Sequence, residues 1–176
     1  MKNYIKSGLR VFVDYVISLV VFVIFLYMFL AITKDNYSKW IPLYSFLNFL
    51  LLYAMLYSDL RKLAVKEKRP QYNLNPYPVK GLVLGLIGFL PLIVIQLIYP
   101  LIVFNDPVAN RIKELVLKTL MGPVYFMVRL AGGTTVGYVV ASLLVPLVSM
   151  FAYMAGFYGF QFRKPKTKPA ANTKKV

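Results

Sequence analysis

The sequence predicts an all-α integral membrane protein: four transmembrane helices, an interfacial amphipathic helix, and a short re-entrant or interfacial segment. Three observations carry that prediction. Apolar residues make up 59% of the 176-residue chain and lift its mean hydropathy to +0.64. Charged residues are 15%, against about a quarter in soluble domains. The apolar residues also come in unbroken blocks of roughly the twenty residues a helix needs to cross the hydrocarbon core, with basic residues gathered at the block ends.

The first span is expected at 11–32. Lys2, Lys6 and Arg10 precede it as in a signal peptide, but the apolar run is too long and no small-x-small site follows, so it reads as uncleaved. Asp14 lies near its start, one turn from Arg10, and is expected at the headgroups, paired or solvated. A polar hairpin, TKDNYSK, leads to a second span at 40–58, whose Trp40, Tyr44, Tyr53 and Tyr57 fall near its ends, where amphipathic rings prefer to sit. Asn48 in its middle is expected to bond a neighbouring helix.

The block DLRKLAVKEKRPQYNLNPYPVKG begins helix-compatible, then meets Pro70, Pro76 and Pro78, which lack amide donors. Its Arg61, Lys62, Lys66, Lys68 and Arg69 are candidate contacts for anionic lipid or a partner. The third span is expected at 81–104. At about 100° per residue, Gly81, Gly85, Gly88, Leu92, Gln96 and Tyr99 share one face, so Gln96 is expected to point into the bundle. Pro91 and Pro100 are expected to bend this helix.

Asp106 and Pro107 then form a good helix start. Over about 107–120, apolar Val108, Ile112, Leu115 and Val116 separate from Arg111, Lys113, Glu114 and Lys118, the pattern of a helix lying in the membrane interface. VYFMVRLAGG is apolar but too short to span, hence re-entrant or interfacial. The last span is expected at 134–160, closing a single membrane domain of 1–162. The basic tail 163–176 is poor in apolar residues and expected to be disordered.

Of 21 Lys and Arg, fifteen lie before span one, in the second loop and in the tail, all on one side of a four-span protein. The positive-inside rule puts that side, and both termini, in the cytoplasm of a plasma membrane. The net charge of +15 is therefore read as topology control and headgroup attraction rather than nucleic-acid binding, for which no fold signature is present.

Small residues are spaced for close helix approach at Gly81, Gly85 and Gly88, at Gly133 and Gly137, and at Ala152 and Gly156. The chain has no cysteine and no histidine, which removes thiolate and imidazole chemistry and the commonest metal ligands. Ser18, Ser45, Ser142 and Ser149 have no histidine base. No catalytic, cofactor or metal residues are assigned. The expected role is a non-enzymatic scaffold or accessory subunit that binds anionic lipid and another membrane protein or a second copy. Two alternatives stay open: a transporter or channel component with a polar route through Asn48, Gln96 and Arg129, and an interfacial lipid-modifying enzyme using Asp106, Glu114 and Arg129.

Overall fold

The protein was analysed as a computed structural model that describes residues 2–70, 76–99, 102 and 104–160. The described residues are helical, with no strand among them. The elements are α1 (Lys2–Thr33), α2 (Tyr37–Glu67), α3 (Lys80–Ile98), α4 (Pro107–Leu120), α5 (Tyr125–Leu130) and α6 (Thr135–Phe157), with 3-10 turns at Lys34–Asn36 and Gly122–Val124. By length and composition α1, α2, α3 and α6 are each able to cross a bilayer. The expected tail 163–176 lies outside the described residues.

Two helices are longer than their apolar runs. Apolarity ends where water begins, but helix propensity does not, so Lys, Arg, Glu and Leu carry α1 and α2 past the apolar stretch at one end of the bundle. We call this the basal end; the start of α3 and the end of α6 complete it. The third helix is shorter than expected. It stops at Ile98 rather than near 104, two residues before Pro100, which has no amide hydrogen to continue the helical ladder. The last helix stops at Phe157, and Gly159 takes the left-handed φ of +72° just after it.

The core is a four-helix arrangement in which α6 packs against α3 and α2, and α1 packs against the other side of α3 and on α2. Tyr15, Leu52, Leu56, Leu84, Phe89, Val145 and Tyr153 are fully buried within it. Glycines set the closeness of these contacts. A Cβ added at Gly85 would fall 2.6 Å from the Pro146 Cα, one at Gly81 2.5 Å from the Tyr153 Cβ, and one at Gly88 2.5 Å from the Gly8 carbonyl oxygen. Gly156 meets the Arg61 carbonyl in the same way, and Ala152 is fully buried. Gly137 approaches the Val128 carbonyl of α5. The small-residue faces are thus consumed inside the chain, joining α3 to α1 and α6 and α6 to α2.

Gly133 differs from the rest. It lies in the turn before α6 with φ +69°, and no atom outside its immediate neighbours lies within 4 Å of where its Cβ would be. Glycine is needed there for backbone conformation, not for packing.

The segment between α4 and α6 plugs the bundle at the end opposite the basal one. Met121, Gly122, Pro123 and Val124 are buried, and Gly122 lies against the Phe22 ring. Hydrogen bonds from two long helices hold this plug. The Tyr15 hydroxyl donates to the Leu120 carbonyl at 2.8 Å, and the Ser45 hydroxyl to the Gly122 carbonyl at 2.6 Å. Ser45 Oγ also accepts from the Phe126 amide at 3.0 Å. Two carbonyls and one amide in and beside the 3-10 turn are therefore satisfied by side chains.

Candidate functional site

Several buried polar side chains of this apolar chain form interhelical joints. Near the middle, Asn48 of α2 is buried and donates through Nδ2 to the Ser18 carbonyl of α1 at 3.0 Å. Tyr44, expected at an interface, turns inward and donates to the Phe22 carbonyl at 2.6 Å. Gln96 shares a buried face with Gly81, Gly85, Gly88 and Leu92. Its amide nitrogen donates to the Met121 sulfur at 3.1 Å. The Ser142 hydroxyl of α6 hydrogen-bonds its amide oxygen and lies 2.7 Å from the Tyr138 carbonyl. Asn48 and Gln96 thus bond different neighbours. Arg129, grouped with them in the sequence, is exposed on α5.

A cavity of about 460 Å³ reaches Gln96 from the plug end. Tyr99, Asn110, Lys113, Glu114, Thr135 and Tyr138 help to line it. The helix forming one wall, α4, starts as its residues dictate: Asp106 Oδ1 accepts from the Val108 amide at 3.0 Å, and Pro107 occupies the first turn. Among its apolar side chains, Leu117 is buried while Val108, Ile112, Leu115 and Val116 are exposed. Glu114 pairs with Lys118 one turn on, at 3.4 Å.

The densest polar cluster was not visible as a unit in the sequence. At the basal end Glu67, the last residue of α2, and Lys80, the first of α3, form an ion pair at 2.8 Å with both side chains only 4% exposed. Tyr153 of α6 donates to the same carboxylate oxygen at 2.6 Å. The Lys80 ammonium also sits 4.7 Å from the centre of the Tyr4 ring of α1, within cation–π range. All four long helices therefore meet at one charge. Tyr77, in the connection ahead of α3, hydrogen-bonds Tyr4, and its hydroxyl is held above the usual phenol range first by desolvation and next by that bond. The spacing of Glu67 and Lys80 across a proline-rich connection gave no signal, because nothing local requires them to meet.

Beside this cluster lies a second cavity of about 470 Å³, between the start of α1 and the end of α2. Lys6 and Arg10 contribute from α1, Lys62 and Lys66 from α2, with Asn3 and Ser7 among its polar lining and Glu67 as its one acid. Arg61 does not line it and is half-buried, with its guanidinium 5.9 Å from the Tyr57 ring centre. Lys68 caps α6 instead, donating to the Phe157 carbonyl at 3.0 Å, and Arg69 is exposed. The five basic residues of α2 and its end thus divide among different tasks.

Asp14 departs from expectation. Arg10 pairs with Asp59 across the helix interface at 3.5 Å rather than with Asp14. Asp14 is 6% exposed, and its Oδ2 has no hydrogen-bond partner. The described residues hold no cluster of metal-ligating side chains.

No known protein family matches this chain, and no curated protein or solved structure is significantly similar to it.

Proposed function

We propose that this chain is a non-catalytic membrane scaffold or accessory subunit, seated in a cytoplasmic membrane with its basal end and both termini in the cytoplasm. It works by binding at its basic end rather than by turnover. One observation carries the reading: buried polar side chains are used to join helices. Asn48 bonds α1, Ser45 holds the plug, Gln96 joins α3 to α6 and the plug, and the Glu67–Lys80–Tyr153 cluster joins three helices. A buried network of this kind rigidifies a bundle and gives it one arrangement.

The glycine faces hold the bundle itself together, so they do not recruit the partner. What remains for binding is the cationic basal end and the lipid-facing flank of α1, of whose most apolar window only 11% is buried in the chain. In this reading α4 lies in the outer interface, its exposed Val108, Ile112, Leu115 and Val116 among the acyl chains.

Crosslinking in native membranes followed by purification tests the proposal. We expect a discrete complex that is lost when Arg61, Lys62, Lys68 and Arg69 are changed together to Glu. A solitary monomer, insensitive to those changes, overturns it.

The cavity that reaches Gln96 favours a second reading, a polar solute route entered from the plug end. Solute flux into liposomes that Gln96→Leu abolishes would select this reading over the first. The interfacial-enzyme alternative gains less support, since Asp106 is engaged as a helix cap and Glu114 pairs with Lys118.

A further inference from the structure

We infer that the cavity between the start of α1 and the end of α2 is a phosphate site, occupied by the headgroup of an anionic phospholipid. The inference rests on the binding role proposed for the basal end, and gives that end a defined pocket and ligand.

Four cationic side chains, Lys6, Arg10, Lys62 and Lys66, line a single space of about 470 Å³. Each helix places its own pair one turn apart, and packing of two helices that run in opposite directions brings the two pairs together. The one acid lining the space does not offset them. Glu67 already takes the Lys80 ammonium at 2.8 Å and the Tyr153 hydroxyl at 2.6 Å from its buried side. Asp59, at 3.5 Å from Arg10, lies outside the lining. An anion placed between Lys6 of α1 and Lys62 of α2 is attracted by both. A phosphate is such an anion, accepting from ammonium and guanidinium groups and from the neutral donors Asn3 and Ser7.

The surroundings favour a lipid over a free ion. Val13 and Ile17 follow Arg10 along the same side of α1, three and seven residues on, and both are exposed. On α2, exposed Leu51 lies in the same direction from Lys62. Asp14 and Asp59 line the adjoining cavity with Leu51, and beyond them the charged end continues into apolar surface, the arrangement a headgroup and acyl chain require. Basic side chains near a headgroup layer attract anionic lipid by about fivefold each.

Binding of defined lipids to the purified full-length chain, read by native mass spectrometry from detergent, tests the assignment. Phosphatidylglycerol is expected to remain bound where phosphatidylcholine does not. Lys6→Gln, Lys62→Gln and Lys66→Gln together are expected to weaken its binding by roughly a hundredfold. The pair Lys113→Gln and Lys118→Gln, at the other end, should leave it unchanged. Circular dichroism of the triple variant checks that the bundle persists; if it unfolds, Lys6→Gln alone is used, with about a fivefold loss expected. Equal retention of both lipids, or no loss in a folded variant, overturns the site. Displacement of the lipid by millimolar inorganic phosphate assigns the cavity to a soluble anion and overturns the lipid part. No lipid selectivity in the unaltered protein, with its crosslinked complex present, counts against this pocket alone, whereas a missing complex with selectivity present counts against the accessory role alone.

Discussion

A lysine at the start of an apolar helix is ordinarily a topology signal, and Lys80 looks like one until its surroundings are seen. Its ammonium is almost without water and depends on Glu67, while Glu67 depends on Lys80 and Tyr153. Removing one member strands the other's charge, which costs about 3–5 kcal/mol, whereas replacing both ions with apolar side chains of similar volume is near neutral. Lys80→Met and Glu67→Leu are each expected to lower stability by that amount in denaturant or thermal unfolding in detergent. The double variant should recover most of the loss. Tyr153→Phe deletes one hydrogen bond to a charged group and should cost about 2 kcal/mol. Two singles that simply add in the double would mean that the ions do not interact.

Between elements, closeness is decided by backbone meeting backbone. The Gly85 position has the Pro146 Cα where a Cβ would go, and neither atom belongs to a flexible side chain that can move aside. Gly85→Leu must therefore push α3 off α6, at an expected cost of about 3 kcal/mol. Gly133→Ala meets no neighbour and is penalised only by its left-handed backbone, about 1–2 kcal/mol. Gly133→Asn, which tolerates that backbone, should cost less still. Thermal melts of the three variants should rank in that order. A Gly133→Asn variant less stable than Gly85→Leu would show that the turn, not the α3–α6 contact, limits stability.

At the scale of the molecule, the chain runs out, back, out and back, so that the ends of α2 and α6 share the basal end with the starts of α1 and α3. The absence of native cysteine makes this testable, because any introduced thiol is the sole target. Asn105→Cys and Arg69→Cys are both at exposed positions on opposite ends. With the proposed orientation, an impermeant maleimide should label the first in intact cells and the second only after permeabilisation. The reverse pattern would invert the topology and put the basic cavity outside.

Much of this architecture can be read from the chain before any contact is known. Blocks of apolar residues long enough for a bilayer, charges confined to their ends, and the Asp106–Pro107 start of α4 all act over a few neighbouring residues, so local sequence carries them. The inward face of α3 is of the same kind, since Gly81, Gly85, Gly88 and Gln96 are related by helical periodicity alone. What the glycines touch is another matter. That α3 joins α1 on one flank and α6 on the other, that Ser45 and Tyr15 hold the plug, and that Arg10 chooses Asp59 over Asp14 follow from contacts between residues far apart in the chain. The buried Glu67–Lys80 pair and the four-cation cavity belong to this second class. Hydropathy and periodicity sum over neighbours and so determine which segments are helices and which can enter a membrane. A buried charge is stable only with its partner beside it, and that proximity is decided when the helices pack.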